Sequence, residues 1–143
     1  MISNLLANLK IEKIISIKNY FTVSSSANYG SGIGCGTVHS NSRSFTATSG
    51  SKIKKIKIDY NRDDQLQILV NGHEIFRSSS NLYCGLSECG QGHGWYSSIV
   101  STSYFIDGYN TISFVNYNST SSDGCGGDGD DMFYYANLTL YYE

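Results

Sequence analysis

The sequence has no proline, few charged residues and no long apolar run. Charged residues make up 15% of its 143 residues, and the formal net charge is −2. The chain therefore offers no electrostatic footprint for a polyanion, and nucleic acid is not expected as a partner. No stretch approaches the ~18 consecutive apolar residues that a membrane-spanning helix needs. Together these absences argue against nucleic-acid-binding and membrane-spanning proteins.

The few basic residues cluster mainly at Lys52, Lys54, Lys55 and Lys57. If this segment is a strand, Lys55 and Lys57 point away from Ile56 and Ile58, because successive side chains of a strand alternate between its two faces. We therefore interpret the lysines as a solvated outer face, in preference to a phosphate-binding stripe.

The residues that are abundant favour sheets and turns. The chain contains twelve tyrosines and fifteen glycines, with many serines and asparagines. Aromatic residues suit a pleated surface, and glycine, asparagine and serine suit the connections. Six to eight short apolar-alternating segments, separated by turn signals, predict an all-β fold. We expect a two-sheet antiparallel β-sandwich or jelly roll with long Gly/Ser-rich loops, in one domain spanning residues 1–143 with an N-terminal arm at 1–10.

The strongest local pattern runs from Ile56 to Phe76. An apolar strand, an acidic turn, a second strand, Asn71-Gly72 and a third short strand follow one another, which predicts a β-meander. Asn71 and Gly72 both tolerate positive φ, so a tight hairpin is expected at that turn.

The other strands are predicted from alternation. Ile15, Ile17, Phe21 and Val23 share one side of a strand at a sheet edge, whereas the polar residues 24–51 are expected to be mostly loop with a short strand near residues 44–48. Further strands are predicted at 96–100 or 101–106 and at 110–117. In the last strand, the expected core face consists of Met132, Tyr134, Ala136, Leu138, Leu140 and Tyr142.

Three segments resemble galactose-binding-like β-sandwich modules. They are Tyr60 to Gly72, Phe105 to Asn116, and Ala136 to Leu140, within a region of similarity covering about residues 52–142. The resemblance implies a jelly-roll scaffold of the kind that accompanies glycoside hydrolases, phage tail proteins and conjugative mating-pair stabilisation proteins. In such modules these segments belong to the scaffold, so they predict the fold and not the ligand.

The four cysteines, Cys35, Cys84, Cys89 and Cys125, lie in Gly-rich sequence that predicts loops. Of the three ways to pair them, we favour Cys84 with Cys89 and Cys35 with Cys125. The chain-entropy model assigns about 2 kcal/mol to the short crosslink and about 4 to 5 kcal/mol to the long one. Zinc, with His39, His73 or His93 as further ligands, is the less favoured alternative because the spacing does not fit. Disulfides imply an extracellular or virion-surface location.

One candidate ligand site surrounds the single tryptophan. Tyr83, Trp95 and Tyr96 could stack on a sugar ring, while Glu88, Gln91 and His93 supply hydrogen bonds to its hydroxyls. The alternative is a tryptophan folded back as a plug for the end of the sandwich, which the usual burial of tryptophan favours.

A second candidate site is the acidic loop that contains Asp123, Asp128, Asp130 and Asp131. Its carboxylates could bind calcium, although a solvated acidic loop is the simpler interpretation and no other cofactor is indicated.

The sequence therefore predicts a non-catalytic module that binds a surface glycan or a protein receptor through the loops at 78–96 and 118–131. No spacing joins a nucleophile to a base or pairs two carboxylates as hydrolysis requires, so an enzyme is not expected. The alternative is a structural subunit of a fibre, phage tail or capsid, forming homo-oligomers through Tyr-rich faces and the N-terminal arm.

Overall fold

The computed structural model describes residues 20–31, 36–47, 53–62, 65–78, 95–118 and 131–142. The described residues form eight strands: β1 (Tyr20–Ser31), β2 (Val38–Ala47), β3 (Ile53–Arg62), β4 (Gln65–Val70), β5 (His73–Arg77), β6 (Tyr96–Val100), β7 (Gly108–Tyr117) and β8 (Asp131–Tyr142). Within these ranges, no helix is long and apolar enough to cross a bilayer.

The strands pair in a nested order. β1 pairs with β8, β2 with β7, β3 with β6 and β4 with β5, all antiparallel. One sheet has the order β1-β8-β3-β6 and the other β2-β7-β4-β5. Two four-stranded sheets with this nesting form a jelly roll. The predicted fold class is confirmed, and it is the architecture that the resemblance to galactose-binding-like modules implied.

The core lies between the two sheets and follows from alternation along the central strands. In β4, Leu66, Ile68 and Val70 are fully buried, and in β3 so are Ile56 and Ile58. Each such side chain contributes roughly 2 kcal/mol by leaving water. The remaining buried apolar residues include Ile53, Phe105, Ile112, Phe114, Tyr134, Ala136, Leu138 and Leu140.

The core face predicted for the last strand is confirmed over most of its length. Met132, Tyr134, Ala136, Leu138 and Leu140 are all at most 2% exposed. The exception is Tyr142, the last residue of the strand, which is 39% exposed.

The predicted β-meander is only half right. Asn71 and Gly72 have φ values of 50° and 83°, and they join β4 to β5 in the expected hairpin. β3, however, belongs to the other sheet, so the chain crosses the sandwich between β3 and β4. The sequence pattern of an apolar strand is the same whether the next strand lies beside it in one sheet or across the core in the other, because in both cases the strand buries one face.

Residues 24–51 contain much more strand than predicted. β1 continues to Ser31 and β2 covers ten residues, because the long strands β8 and β7 offer both of them backbone partners along their length. The part of the predicted first strand before Tyr20 lies outside the described residues. β1 is an edge strand, as expected, and Phe21 and Val23 pack against the core.

Polar side chains replace apolar ones on the inner side of this edge. The buried Tyr134 hydroxyl lies 2.8 Å from Ser25 Oγ, and Asn41 Nδ2 donates to Tyr134 Oη at 3.1 Å and to Tyr29 Oη at 3.0 Å. Burial raises the pKa of Tyr29, with Tyr134 adding to the shift and the Asn41 hydrogen bond opposing it. These polar groups satisfy one another's hydrogen-bonding capacity. β1 and β2 can therefore pack along this edge of the sandwich although some of their inner side chains are polar.

The Gly-Tyr-Asn-Thr-Ile segment is fixed by one buried amide. Asn110 is fully buried, and its Oδ1 accepts from Ile106 N and Asn71 Nδ2, both at 2.9 Å. Its Nδ2 donates to Ile106 O at 2.9 Å and to Gly108 O at 3.1 Å. Asn110 therefore ties the connection before β7 to the β4–β5 hairpin, which confirms a scaffold role for this segment.

We expect Asn110→Ala to lower the free energy of unfolding by about 2 kcal/mol, because both backbone groups of Ile106 lose buried partners. Guanidinium unfolding followed by far-ultraviolet dichroism measures this loss. The matched control is Asn28→Ala, which removes a single exposed contact to Gly30 N and should cost well under half as much. Equal losses in the two variants would contradict the role given to Asn110.

The topology also orders the connections at one end of the sandwich. Four connections join strands at that end. From one edge of the sandwich to the other, their order is β1–β2, β7–β8, β3–β4 and β5–β6. The described flanks show the first two side by side. Ser31 pairs with Asp131, and Asn118 N donates to Thr37 O at 2.8 Å.

Candidate functional site

A polar cleft of about 190 Å³ opens on the outer face of the β1-β8-β3-β6 sheet, towards the end where these connections leave. Six of its lining residues, from four parts of the chain, carry polar or aromatic side chains that face the surface: Ser24, Ser26, Arg43, Trp95, Tyr135 and Asn137. Hydroxyls, an amide, a guanidinium and two aromatic rings thus meet in one concave surface.

Alternation on β1 and β8 builds the polar wall of the cleft. Because Tyr134, Ala136 and Leu138 face the core, Tyr135 and Asn137 must face outwards. Ser24 pairs with Asn137 across the two strands, and Ser24 Oγ donates to Asn137 Oδ1 at 2.7 Å. This contact fixes the amide and leaves its Nδ2 available to donate to a ligand.

Two exposed aromatic rings flank this wall. Trp95 immediately precedes β6 and is 59% exposed, and Tyr135 is 43% exposed. The indole is therefore not the buried plug that the average burial of tryptophan suggested. A large aromatic side chain left in water beside a cleft of polar groups is typical of ligand-binding sites.

Charge at the cleft comes from Arg43. Its position on β2 shares the inward parity of Asn41 and Phe45, yet its side chain is exposed at the sandwich edge. Its Nη1 donates to Ser42 O at 3.0 Å. An inward-pointing charge on an edge strand also hinders pairing with another chain.

A carboxylate on the strand next to this region, Asp59, already has partners. Asp59 is the cross-strand partner of Asn137 and lies on the outer face. Lys57 Nζ lies 3.3 Å from its Oδ1, and Ser97 Oγ also donates to that oxygen. Asp59 is thus neutralised by its own neighbours.

The predicted sugar site divides into described and undescribed parts. Trp95 lines the cleft. Tyr96 instead packs against Tyr60, with 5.7 Å between the two ring centroids. Tyr96 is 47% exposed, and its contact with a ligand stays a prediction. The other predicted ligand residues, Tyr83, Glu88, Gln91 and His93, lie outside the described residues.

The other predicted groups are not tested. The backbone of Asp131 begins β8, while Asp123, Asp128 and Asp130 and all four cysteines lie outside the described ranges. Among the residues that the structure describes, no three histidine, cysteine, aspartate or glutamate side chains could hold a metal ion. Calcium and both disulfides therefore stay predictions.

A second charged cluster, on the outer face of the other sheet, is paired within itself. Arg77 Nη2 lies 2.9 Å from Glu74 Oε2, and Gln67 Nε2 donates to the same oxygen at 2.6 Å. The hydrogen bond from Arg77, and then that from Gln67, lowers the pKa of Glu74. The hydrogen bond with Glu74 in turn raises the pKa of Arg77. Because its groups satisfy one another, this cluster offers less to a ligand than the cleft does.

Of the six polar and aromatic residues of the cleft named above, the sequence analysis singled out only Trp95. Tyr135 and Asn137 could have been found, since alternation along the last strand already placed them on the face opposite the core. Ser24, Ser26 and Arg43 carried no such signal, because they lie in a region predicted to be mostly loop.

No protein-family model matches the chain, and no curated protein matches it. Among solved structures, the family 11 carbohydrate-binding module of the cellulosomal cellulase Lic26A-Cel5E of Clostridium thermocellum is similar at 11% identity, covering 89% of each chain, with a TM-score of 0.44. Dimeric latent PorU from Porphyromonas gingivalis is 11% identical over 88% of this chain and 13% of that one, with a TM-score of 0.46.

A third similar structure is a GH2 β-galacturonidase from Eisenbergiella tayi bound to glycerol, 10% identical over 88% of this chain, with a TM-score of 0.39. The present chain spans only about a quarter of that enzyme and about an eighth of PorU. These TM-scores, all below 0.5, define neither a ligand nor an activity for this chain.

Proposed function

We propose that this chain is a non-catalytic binding module that holds a surface glycan in the cleft beside Trp95. The observation that supports this most is the 59% exposure of the indole at the rim of a polar cleft. An exposed indole beside hydroxyl and amide groups suits a ligand that has both an apolar face and polar groups. We place the module on the outside of a cell or virion, where such glycans are found.

Carbohydrate is the ligand class whose surface matches this one. A sugar ring has an apolar face of C–H groups, which stacks on an aromatic ring, and a rim of hydroxyls, which needs both donors and acceptors. Trp95 and Tyr135 supply the rings. Ser24, Ser26 and Asn137 supply hydroxyl and amide groups that can donate or accept.

The composition of the cleft supports binding without catalysis. None of its described lining residues is a carboxylate, histidine or cysteine. Glycoside hydrolysis usually requires two carboxyl groups flanking the scissile bond. Asp59, which lies opposite Asn137 on the neighbouring strand, is already bound by Lys57 and Ser97.

Trp95 provides a direct test, because it is the only tryptophan in the chain. We expect a glycan selected from an array to change Trp95 fluorescence on titration and to protect the indole from quenching by acrylamide, since a stacked sugar excludes both water and quencher. The control is the same titration with the monosaccharide mixture that the glycan contains. If no arrayed glycan binds or alters the emission, the proposed function is wrong.

A further inference from the structure

Arg43 distinguishes this cleft from a site built for neutral sugar alone. A guanidinium carries five N–H donors and a permanent positive charge. Within the described part of the chain, Arg43 donates one hydrogen bond, to the carbonyl of its neighbour Ser42. No carboxylate of the described residues lies within ion-pair distance of it.

By contrast, three other cations of the described strands have partners within the folded chain. Arg77 contacts Glu74 on the opposite sheet, and Lys57 contacts Asp59 on the same sheet as the cleft. Lys55 lies over the ring of Tyr141, with Nζ 5.0 Å from the centroid. Arg43 is thus a cation presented to the cleft that no carboxylate of the described residues neutralises.

The surrounding face has the same sign. Register places Lys55, Lys57 and Asp59 on the outer face of β3, opposite Tyr141, Thr139 and Asn137 of β8. Among the side chains that the structure describes, this face counted with Arg43 carries three positive groups and one negative group, although the chain as a whole has a net charge of −2. A ligand running from the cleft along β8 therefore meets a positive surface on an otherwise acidic protein.

We propose that the glycan held in this cleft is acidic, with a sugar carboxylate bound by the Arg43 guanidinium. The inference rests on the proposed function and specifies its ligand class. Carboxylate is favoured because its planar pair of oxygens matches the guanidinium fork in a bidentate contact.

The test compares carboxylated glycans, such as oligomers of uronic acids and sialylated glycans, with the same glycans after their carboxyl groups are reduced to alcohols. Binding is followed by Trp95 fluorescence, so Arg43 can be replaced without losing the signal. We expect Arg43→Gln to weaken binding of the carboxylated glycan by about tenfold, the effect of one charge-assisted contact. Its affinity for the reduced glycan should change little.

The matched control is Arg77→Gln, which removes the same side chain from the other sheet and should leave both affinities unchanged. Salt provides a second readout. The Debye length falls from about 8 Å at 0.15 M to about 3 Å at 1 M, so binding of the carboxylated glycan should weaken while binding of the reduced one persists.

The two proposals fail in different ways. Equal affinity for carboxylated and reduced glycans, or an Arg43→Gln variant with unchanged affinity for the carboxylated one, overturns the acidic ligand and leaves glycan binding intact. If only sulfated glycans bind, the carboxylate assignment is wrong. If neither carboxylated nor neutral glycans change Trp95 emission, glycan binding itself is wrong.

Discussion

Replacing Trp95 with alanine should abolish measurable glycan binding while leaving the fold intact. A well-placed aromatic residue at the centre of a binding site contributes about 3 kcal/mol, which corresponds to more than a hundredfold in affinity. The fold should tolerate the change because the side chain is 59% exposed and precedes the first residue of β6. Isothermal titration calorimetry measures the affinity, since this variant has no tryptophan to report it.

Two further variants separate stacking from mere bulk. Trp95→Phe keeps an aromatic face and should retain part of the affinity. Tyr109→Ala removes an aromatic side chain that is 65% exposed at the opposite end of the sandwich, and it should bind normally. Undiminished binding by Trp95→Ala, with melting temperatures equal to that of the parent protein, would show that the ligand lies elsewhere.

The parts of the fold that could be predicted are those that depend on near neighbours in the chain. Alternation along the last strand identified its core face because Leu138 and Leu140 recur at every second position. The hairpin at Asn71-Gly72 was predictable because those two residue types tolerate the positive φ values that the turn requires.

The parts that could not be predicted depend on partners distant in the sequence. β2 and the later part of β1 are too polar to be recognised alone, since Ser25 and Asn41 on their inner sides bond to the hydroxyl of Tyr134, about a hundred residues away. The cleft has the same origin. Ser24, Arg43, Trp95 and Tyr135 meet only when the nested pairing is complete, and no local pattern announces that pairing.

Strand order also bears on the cysteines, although all four lie outside the described residues. Cys35 belongs to the β1–β2 connection and Cys125 to the β7–β8 connection, which are neighbours at the same end of the sandwich. Cys84 and Cys89 both belong to the β5–β6 connection, at the far edge of that end. The pairing of Cys35 with Cys125 and of Cys84 with Cys89 stays a prediction.

Removing the long crosslink by Cys35→Ser and Cys125→Ser together should therefore have the largest effect on stability. The chain-entropy model gives about 4.5 kcal/mol for a closed loop of this length, or roughly 15 °C in melting temperature. The control, Cys84→Ser with Cys89→Ser, opens only a short loop and should cost about 2 kcal/mol. Calorimetry of the oxidised proteins measures both losses, and peptide mapping without reductant identifies the pairs. A mapped link from Cys35 to Cys84 or Cys89, or a first double variant as stable as the parent, would refute this pairing.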